Sequence, residues 1–135
     1  MKDYLLPKDL FYHKKHFWIK IEQTTATVGI TDFSQKLAGK FDYIELPEVG
    51  DLVKQDEVIG SIETGKWIGK LISPLSGKIS CINGELEDNP RLINRDPYNM
   101  GWLYKIENFN ESELDNLLYG DAAIAWQEEE VIKHS

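Results

Sequence analysis

The sequence predicts a mostly β fold, a small sandwich or barrel-like sheet, and two features support this. Short runs of alternating apolar and polar residues recur between residues 41 and 106, at the length of strands rather than helices. Glycine, proline and asparagine separate these runs at turns. A length of 135 residues suffices for one domain with a hydrophobic core. We expect a single domain over residues 1–135, with its core at about 12–107 and a helical extension at about 111–131.

The first elements are predicted as two strands and one short helix. Phe17, Ile19 and Ile21 alternate within a strand at residues 13–22, and a second strand follows at residues 26–30. A helix is expected at residues 31–39, because Thr31 or Asp32 can cap its start and Gly39 can end it.

The middle of the chain is predicted as strands and turns, and its end as helices. The expected strands lie at residues 41–46, 52–53, 57–59, 78–82 and 101–106, with turns at 47–51, 73–77 and from 83 onwards. Leu114, Leu117 and Leu118 share one face of a helix predicted at 111–119. Gly120 breaks that helix, and another is expected at 122–131.

A predicted hairpin at residues 59–72 is the most informative segment. Ile62 and Thr64 precede, and Trp67 follows, a tight reversal at Gly65-Lys66. A lysine at such a tip is held in water by the backbone, where another protein can reach it. For an arbitrary hairpin this lysine would only aid solubility.

Composition and charge exclude several classes of protein. The formal net charge of −8 disfavours nucleic-acid binding, and it suits equally docking onto basic protein surfaces and a role in solubility alone. No apolar run has the length of a membrane span, and the start of the chain lacks a signal-peptide pattern, so we expect a cytoplasmic protein. The single Cys81 excludes an internal disulfide.

The residues do not suggest an active site or a metal site. His13 and His16 are spaced like metal ligands, but no cysteine or third histidine lies near them in the sequence. His134 is close to the end of the chain. Cys81 lies between Ile79 and Ile82 in a predicted strand and is expected to be a small buried thiol.

Several motifs occur in an order that identifies a family. They are His16-Phe17-Trp18, Val28-Gly29-Ile30-Thr31, the segment 45–50 (ELPEVG), Glu63-Thr64-Gly65-Lys66, the segment 73–77 (SPLSG), the segment 89–98 (NPRLINRDPY) and Gly101-Trp102-Leu103. Over about residues 10–119 the chain resembles the H proteins of the glycine cleavage system, small carriers whose lysine bears a lipoyl group.

The resemblance implies a fold, a cofactor and a set of partners. The fold would be a lipoyl-domain-like barrel-sandwich hybrid of two small sheets, with a short internal helix and C-terminal helices. Lipoate would be attached to Lys66, with Glu63, Thr64, Gly65 and Trp67 forming its surroundings. Glu63 matches an acidic position that would help the modifying enzyme, a lipoate ligase or lipoyl transferase.

The implied role is that of a monomeric, non-catalytic carrier that shuttles the aminomethyl group and reducing equivalents. Its partners would be glycine decarboxylase, aminomethyltransferase and dihydrolipoamide dehydrogenase. No nucleic acid, membrane or metal is expected.

Three positions depart from the family pattern. Thr64-Gly65-Lys66-Trp67 replaces the usual Ser-Val-Lys-Ala, and Trp67 could cover the arm or pack on the adjacent strand. Phe17 and Lys70 stand where the family usually carries glutamate and aspartate, at the pocket that parks the cationic aminomethyl-loaded arm. This change of two charges toward positive suits a neutral or anionic cargo better.

Two alternatives therefore remain open, and a third is disfavoured. The chain could be an H-like lipoate-binding protein that carries sulfur for a heterodisulfide-reductase-like sulfur-oxidation system. It could be a scaffold that is never lipoylated, because Gly65 and Trp67 flank the lysine. A biotin carrier is disfavoured, since methionines normally flank the biotinylated lysine.

Overall fold

The computed structural model describes residues 4–134, in which ten strands and five helical segments are present. The strands are β1 (Phe11–His13), β2 (Phe17–Glu22), β3 (Thr25–Ile30), β4 (Phe41–Glu45), β5 (Leu52–Val53), β6 (Val58–Thr64), β7 (Ile68–Ile72), β8 (Gly77–Ile82), β9 (Tyr104–Glu107) and β10 (Leu118–Tyr119). The helices are α1 (Asp32–Ala38), α2 (Glu85–Asp88), α3 (Leu92–Arg95) and α4 (Asp121–Lys133), with a 3₁₀ helix at Glu111–Asn116.

The strands form two antiparallel sheets. One has seven strands in the order β10-β1-β2-β3-β9-β8-β5, and the other has three in the order β4-β6-β7. The prediction of a mostly β chain with two sheets and added helices is confirmed. β7 is an edge of the small sheet, so one side of its backbone is not paired with another strand.

The main core combines side chains from both sheets. Ile19, Val28 and Ile106 from the large sheet join Ile62 and Leu71 from the small one, and all are at most 2% exposed. Each such side chain contributes roughly 1.5–3 kcal/mol when it leaves water, so this core holds the two sheets together. The small sheet, which carries the hairpin, is therefore fixed to the rest of the molecule.

A second apolar cluster attaches the C-terminal helix. Tyr12, Trp18 and Ala123 are buried in it, and Trp126 packs against it. The Trp18 indole Nε1 donates a hydrogen bond of 2.9 Å to the carbonyl of Pro97. The indole lies so close to Gly29 that a Cβ there would overlap the ring.

A polar contact fixes the other end of α4. His16 Nε2 and Glu130 Oε1 are 2.9 Å apart, and the His16 ring lies 4.8 Å from that of Trp126. Within residues 4–134, the buried His16 Nδ1 has no hydrogen-bond partner. Burial lowers the pKa of His16, an effect that the Glu130 hydrogen bond only partly offsets. The folded state therefore favours the neutral imidazole.

Three predicted elements were wrong in detail. The strand expected at 13–22 is interrupted after His13, where the His16 N–H donates to the His13 carbonyl and His16 adopts a φ of 73°. The helix expected at 111–119 is a 3₁₀ helix followed by β10, because Tyr119 pairs with Phe11 at the edge of the large sheet. The segment from residue 83, predicted only as a break, contains α2 and α3.

Cys81 is exposed, contrary to the expectation of a buried thiol. A register shift between Ile79 and Cys81 in the pairing of β8 with β9 accounts for this. Such a bulge changes which residues face the core.

Within the described part of the chain, no helix combines the length and apolarity needed to cross a membrane.

We expect Gly29→Ala to lower the free energy of unfolding, by roughly 1–3 kcal/mol, because overpacked cores lose about that much. The added methyl group would overlap the buried Trp18 ring. Urea denaturation monitored by circular dichroism would measure the loss. Gly84→Ala is the matched control, since Gly84 has a helical φ of −63° and no atom within 4 Å of the added Cβ. If both variants were equally stable, the tight packing of Trp18 on Gly29 would be wrong.

We expect the free energy of unfolding to fall on acidification because of His16. Its folded-state pKa lies below the ordinary value of 6.5, so the unfolded chain binds the proton first as the pH falls. This stability is fully present above pH 6.5 and is lost below it, with a slope of at most about 1.4 kcal/mol per pH unit for one proton.

Denaturant midpoints between pH 7.5 and pH 5.5 would measure this effect. His16→Gln should show a smaller drop in stability than the unmodified chain over about that interval of two pH units. His13→Gln serves as the control, since His13 contacts Asp56 and is not among the groups that shift the pKa of His16. An unchanged pH dependence in His16→Gln would contradict the assignment.

Candidate functional site

The tip of the β6–β7 hairpin is held by the side chain and backbone of Thr64. The Thr64 N–H donates to the Trp67 carbonyl over 2.8 Å, which closes the turn. The Lys66 N–H donates to the Thr64 hydroxyl over 3.3 Å, and Thr64 is only 9% exposed. Gly65 and Lys66 thus form an exposed reversal whose base is buried.

The side chain of Lys66 extends from this tip along the end of α1. A Cβ at Gly39 would lie 3.4 Å from Lys66 Cε and 4.0 Å from its Nζ. Gly39 has a φ of 92°, and its N–H donates to the Gln35 carbonyl to end the helix. The lysine is therefore exposed, with its aliphatic stem over a glycine at the helix C-terminus, where a cation is favoured.

A cleft of about 780 Å³ opens beside Lys66. Residues of β7 and α1 line it, together with Phe17, Ile30 and Ile62. Lys15, His16 and His134 lie among its lining residues, and the His134 ring is 5.8 Å from that of Phe33. The cleft is thus an apolar space with basic groups in its walls, and Lys66 is one of them.

Four of the residues predicted for the site line this cleft, and three do not. Phe17, Lys66, Trp67 and Lys70 line it. Glu63, Thr64 and Gly65 belong to the hairpin outside it. Lys70 is exposed on the edge strand β7 and pairs in register with Ser61, whereas Phe17 is 5% exposed.

Trp67 both packs on its own strand and faces the cleft. Its ring covers Gly69 so closely that a Cβ there would overlap the indole. It remains 45% exposed, so one face of the ring is available to a bound group. The contact with Gly69 agrees with the interpretation that Trp67 packs on the adjacent strand, and cover of the arm by the ring stays a prediction.

Glu63 lies on the other face of the small sheet. It pairs in register with Tyr43 on β4 and Ile68 on β7, which are 49% and 72% exposed. Close to the tip, Arg91 Nη2 and Asp42 Oδ1 form an ion pair of 3.2 Å. These residues give the hairpin an exposed outer surface that is partly apolar and carries charge.

Sequence reasoning missed several residues of the site. Gly39 was predicted only as a helix end, and nothing in the sequence pointed to Ser34, Leu37, Ala38, Lys15 or His134 as neighbours of the lysine. They are brought there by the packing of α1 and of the C-terminus against the hairpin. A search for glycines that follow a capped helix would have singled out Gly39, but not its contact with Lys66.

The two histidines that resembled metal ligands have separate partners. His13 Nε2 lies 2.6 Å from Asp56 Oδ1, whereas His16 contacts Glu130 on α4. Among residues 4–134, no three histidine, cysteine or acidic side chains are grouped so that they could hold a metal ion. Both histidines therefore connect parts of the fold.

Comparisons with known proteins agree on one family. The family model described as "Glycine cleavage H-protein" matches residues 10–130. A glycine cleavage system H protein from Listeria monocytogenes serotype 4b is 44% identical over 116 residues, covering 86% of this chain and 93% of the relative. The corresponding protein of Carboxydothermus hydrogenoformans is 45% identical over 114 residues, covering 84% and 88%.

A solved structure agrees with these relatives. The crystal structure of a glycine cleavage system H protein from Mycobacterium marinum matches with a TM-score of 0.80 and 33% identity, covering 93% of this chain and 98% of that one. Its fold confirms the predicted architecture, and the family is one of non-catalytic carrier subunits. The chain belongs to the glycine cleavage H-protein family.

Proposed function

We propose that Lys66 carries a lipoyl group and that the chain serves as the lipoyl-carrier protein of a glycine cleavage system. The observation that carries this proposal is the position of Lys66, exposed at a hairpin tip and beside an apolar cleft. The amine is reachable for a lipoate ligase or a lipoyl transferase. Glu63, on the outer face of the same hairpin, is a contact for that enzyme.

The cleft fits the group in size and in chemistry. A volume of about 780 Å³ lies within the roughly 300–1,000 Å³ of small-molecule pockets. Gly39 leaves room for the lysine stem, and the exposed Trp67 face offers an apolar surface to a hydrocarbon chain. When attached, the lipoyl group supplies a cyclic disulfide that opens to two thiols, one of which can carry a one-carbon unit.

The residues of the chain hold and release the arm. Thr64 fixes the turn, so the root of the tether has a constant position relative to the sheets. The cleft offers a resting place away from water, which limits loss of the cargo by hydrolysis. Because the arm is tethered, a docked enzyme meets it at a high effective concentration.

The partners follow from this role. Glycine decarboxylase would load the aminomethyl group, aminomethyltransferase would remove it, and dihydrolipoamide dehydrogenase would reoxidise the arm. The net charge of −8 favours encounters with basic surfaces around their entrances. We further propose that the protein acts in the cytoplasm as a monomer.

One observation favours a second candidate within the same carrier role. The described residues that line the cleft include Lys15 and Lys66 but no aspartate or glutamate, and such a lining suits an anionic sulfur cargo of a heterodisulfide-reductase-like system. Reconstitution separates the two candidates. Glycine-dependent release of carbon dioxide with the three partner enzymes supports the glycine cleavage role, and failure of lipoylated protein to support it favours sulfur transfer.

We expect lipoylation at Lys66 and at no other lysine. Co-expression with a lipoate ligase in medium containing lipoate should give the mass increment of one lipoyl group, with peptide mapping assigning it to Lys66. Lys66→Arg should abolish the increment, because guanidinium is not acylated by the ligase.

The matched control is Lys70→Arg, at an exposed lysine of the same hairpin, which should be modified normally. Absence of the increment in a strain that lipoylates another substrate would favour an unlipoylated scaffold. An increment on a different lysine would overturn the proposed attachment site.

A further inference from the structure

We propose that Asn94 is a positioning residue for the arm, because its side-chain amide fixes the glycine beside which the stem of Lys66 lies. Asn94 belongs to α3 and is not among the described residues that line the cleft. It therefore acts on the arm through Gly39. This inference rests on the proposed attachment of a lipoyl group to Lys66, and it gives the segment 89–98 a role beside the arm.

The Asn94 side chain makes three hydrogen bonds at the end of α1. Its Nδ2 donates to the Gly39 carbonyl over 2.8 Å and to Gln35 Oε1 over 3.0 Å, and its Oδ1 accepts from the Phe41 N–H over 3.0 Å. Because the amide faces one donor and two acceptors, a single orientation satisfies all of them. An aspartate would lack both donors, and an alanine would lack all of these bonds.

These bonds hold both ends of the short connection between α1 and β4. α1 ends at Ala38 and β4 begins at Phe41, so two residues lie between them. Phe41 pairs in register with Thr64, whose hydrogen bonds close the hairpin turn. One side chain thus fixes Gly39 on one side and the strand beside the base of the hairpin on the other.

The conformation of Gly39 determines the surface beside the lysine stem. A Cβ at Gly39 would lie 3.4 Å from Lys66 Cε, which is within van der Waals contact. The φ of 92° is one that residues with a side chain rarely adopt, whereas glycine readily exchanges it for others. Loss of the Asn94 bonds would free Gly39 to change its conformation. The stem would then lose its fixed contact, and the arm would spend less time in the cleft.

α3 connects this amide to the core. Ile93, the neighbour of Asn94, is completely buried in the main core. Arg91 and Asp42 also join α3 to β4, but both side chains are half exposed and such an ion pair contributes little. The hydrogen bonds of Asn94 are therefore the main polar connection between α3 and the end of α1.

A first experiment measures how well the loaded arm is protected from water. Glycine decarboxylase loads the lipoylated protein: the carbon–carbon bond of glycine breaks, carbon dioxide leaves, and a carbon–sulfur bond forms. The other sulfur of the opened disulfide takes up a proton. Water then cleaves the carbon–sulfur bond and gives formaldehyde, ammonium and a second thiol. The rate of formaldehyde release after removal of the enzyme reports how often the arm leaves the cleft.

Asn94→Ala and Asn94→Asp should raise this rate several-fold. Asn94→Asp keeps the acceptor for the Phe41 N–H and serves where Asn94→Ala does not fold. The matched controls are Asn83→Ala and Asn83→Asp, because Asn83 Nδ2 also donates to two carbonyls and is not among the described lining residues. These controls should destabilise the fold and leave the rate unchanged. An unchanged rate in the Asn94 variants, or an equal rise in the Asn83 variants, would overturn the role of Asn94.

A second measurement requires neither lipoylation nor a partner enzyme. Lys66→Cys is placed in a Cys81→Ser background, because Cys81 is exposed. The new thiol reacts with a methanethiosulfonate spin label to give a mixed disulfide and methanesulfinate. The methylene carbon of the label is as many bonds from the backbone as Lys66 Cε. The immobilised fraction in the electron spin resonance spectrum should fall in both Asn94 variants and stay constant in both Asn83 variants.

The two measurements separate this inference from the proposed function. A fully mobile label without substitution at Asn94, or an immobilised fraction that ignores Asn94, would disprove the positioning role even if glycine decarboxylase loads the arm. Failure of loading with a label that responds to Asn94 would contradict the proposed cargo and support the role of Asn94 at position 66.

Discussion

The closure of the β6–β7 turn by Thr64 is the interaction on which the site depends. It places one buried side chain beneath two exposed residues, and its hydrogen bonds to Trp67 and Lys66 define where the lysine begins. The core then fixes the hairpin relative to the rest of the molecule, since Ile62, two residues before Thr64, is buried between the sheets. A tether attached at Lys66 would therefore have a rigid root and a mobile end.

Local signals in the sequence were sufficient where an element is defined by its neighbours along the chain. The hairpin followed from β-branched residues around Gly65, and α1 followed from Thr31, whose hydroxyl accepts from the Ser34 N–H. They were insufficient for α2 and α3, because helices of four residues have no periodicity to detect. They failed for β10, whose two residues form a strand only by pairing with β1.

The cleft could not be predicted because its walls come from distant parts of the chain. Gly39 and Lys66 are far apart in the sequence, and their contact exists only after α1 has packed against the small sheet. The exposure of Cys81 has a similar origin, since the bulge in β8 arises from its pairing with β9. The resemblance pointed to Phe17 and Lys70, but Lys15 entered only through the fold.

The net charge of this molecule and the apolar lining of its cleft act at different distances from a partner. In physiological salt the Debye length is about 8 Å, so the net charge of −8 influences a partner mainly during approach and at the rim of contact. Inside the cleft, the apolar side chains of Phe17, Ile30 and Ile62 weaken the screening of charges by water. Docking to a partner and resting of the arm in the cleft can therefore depend on different forces, because they occur in different dielectric environments.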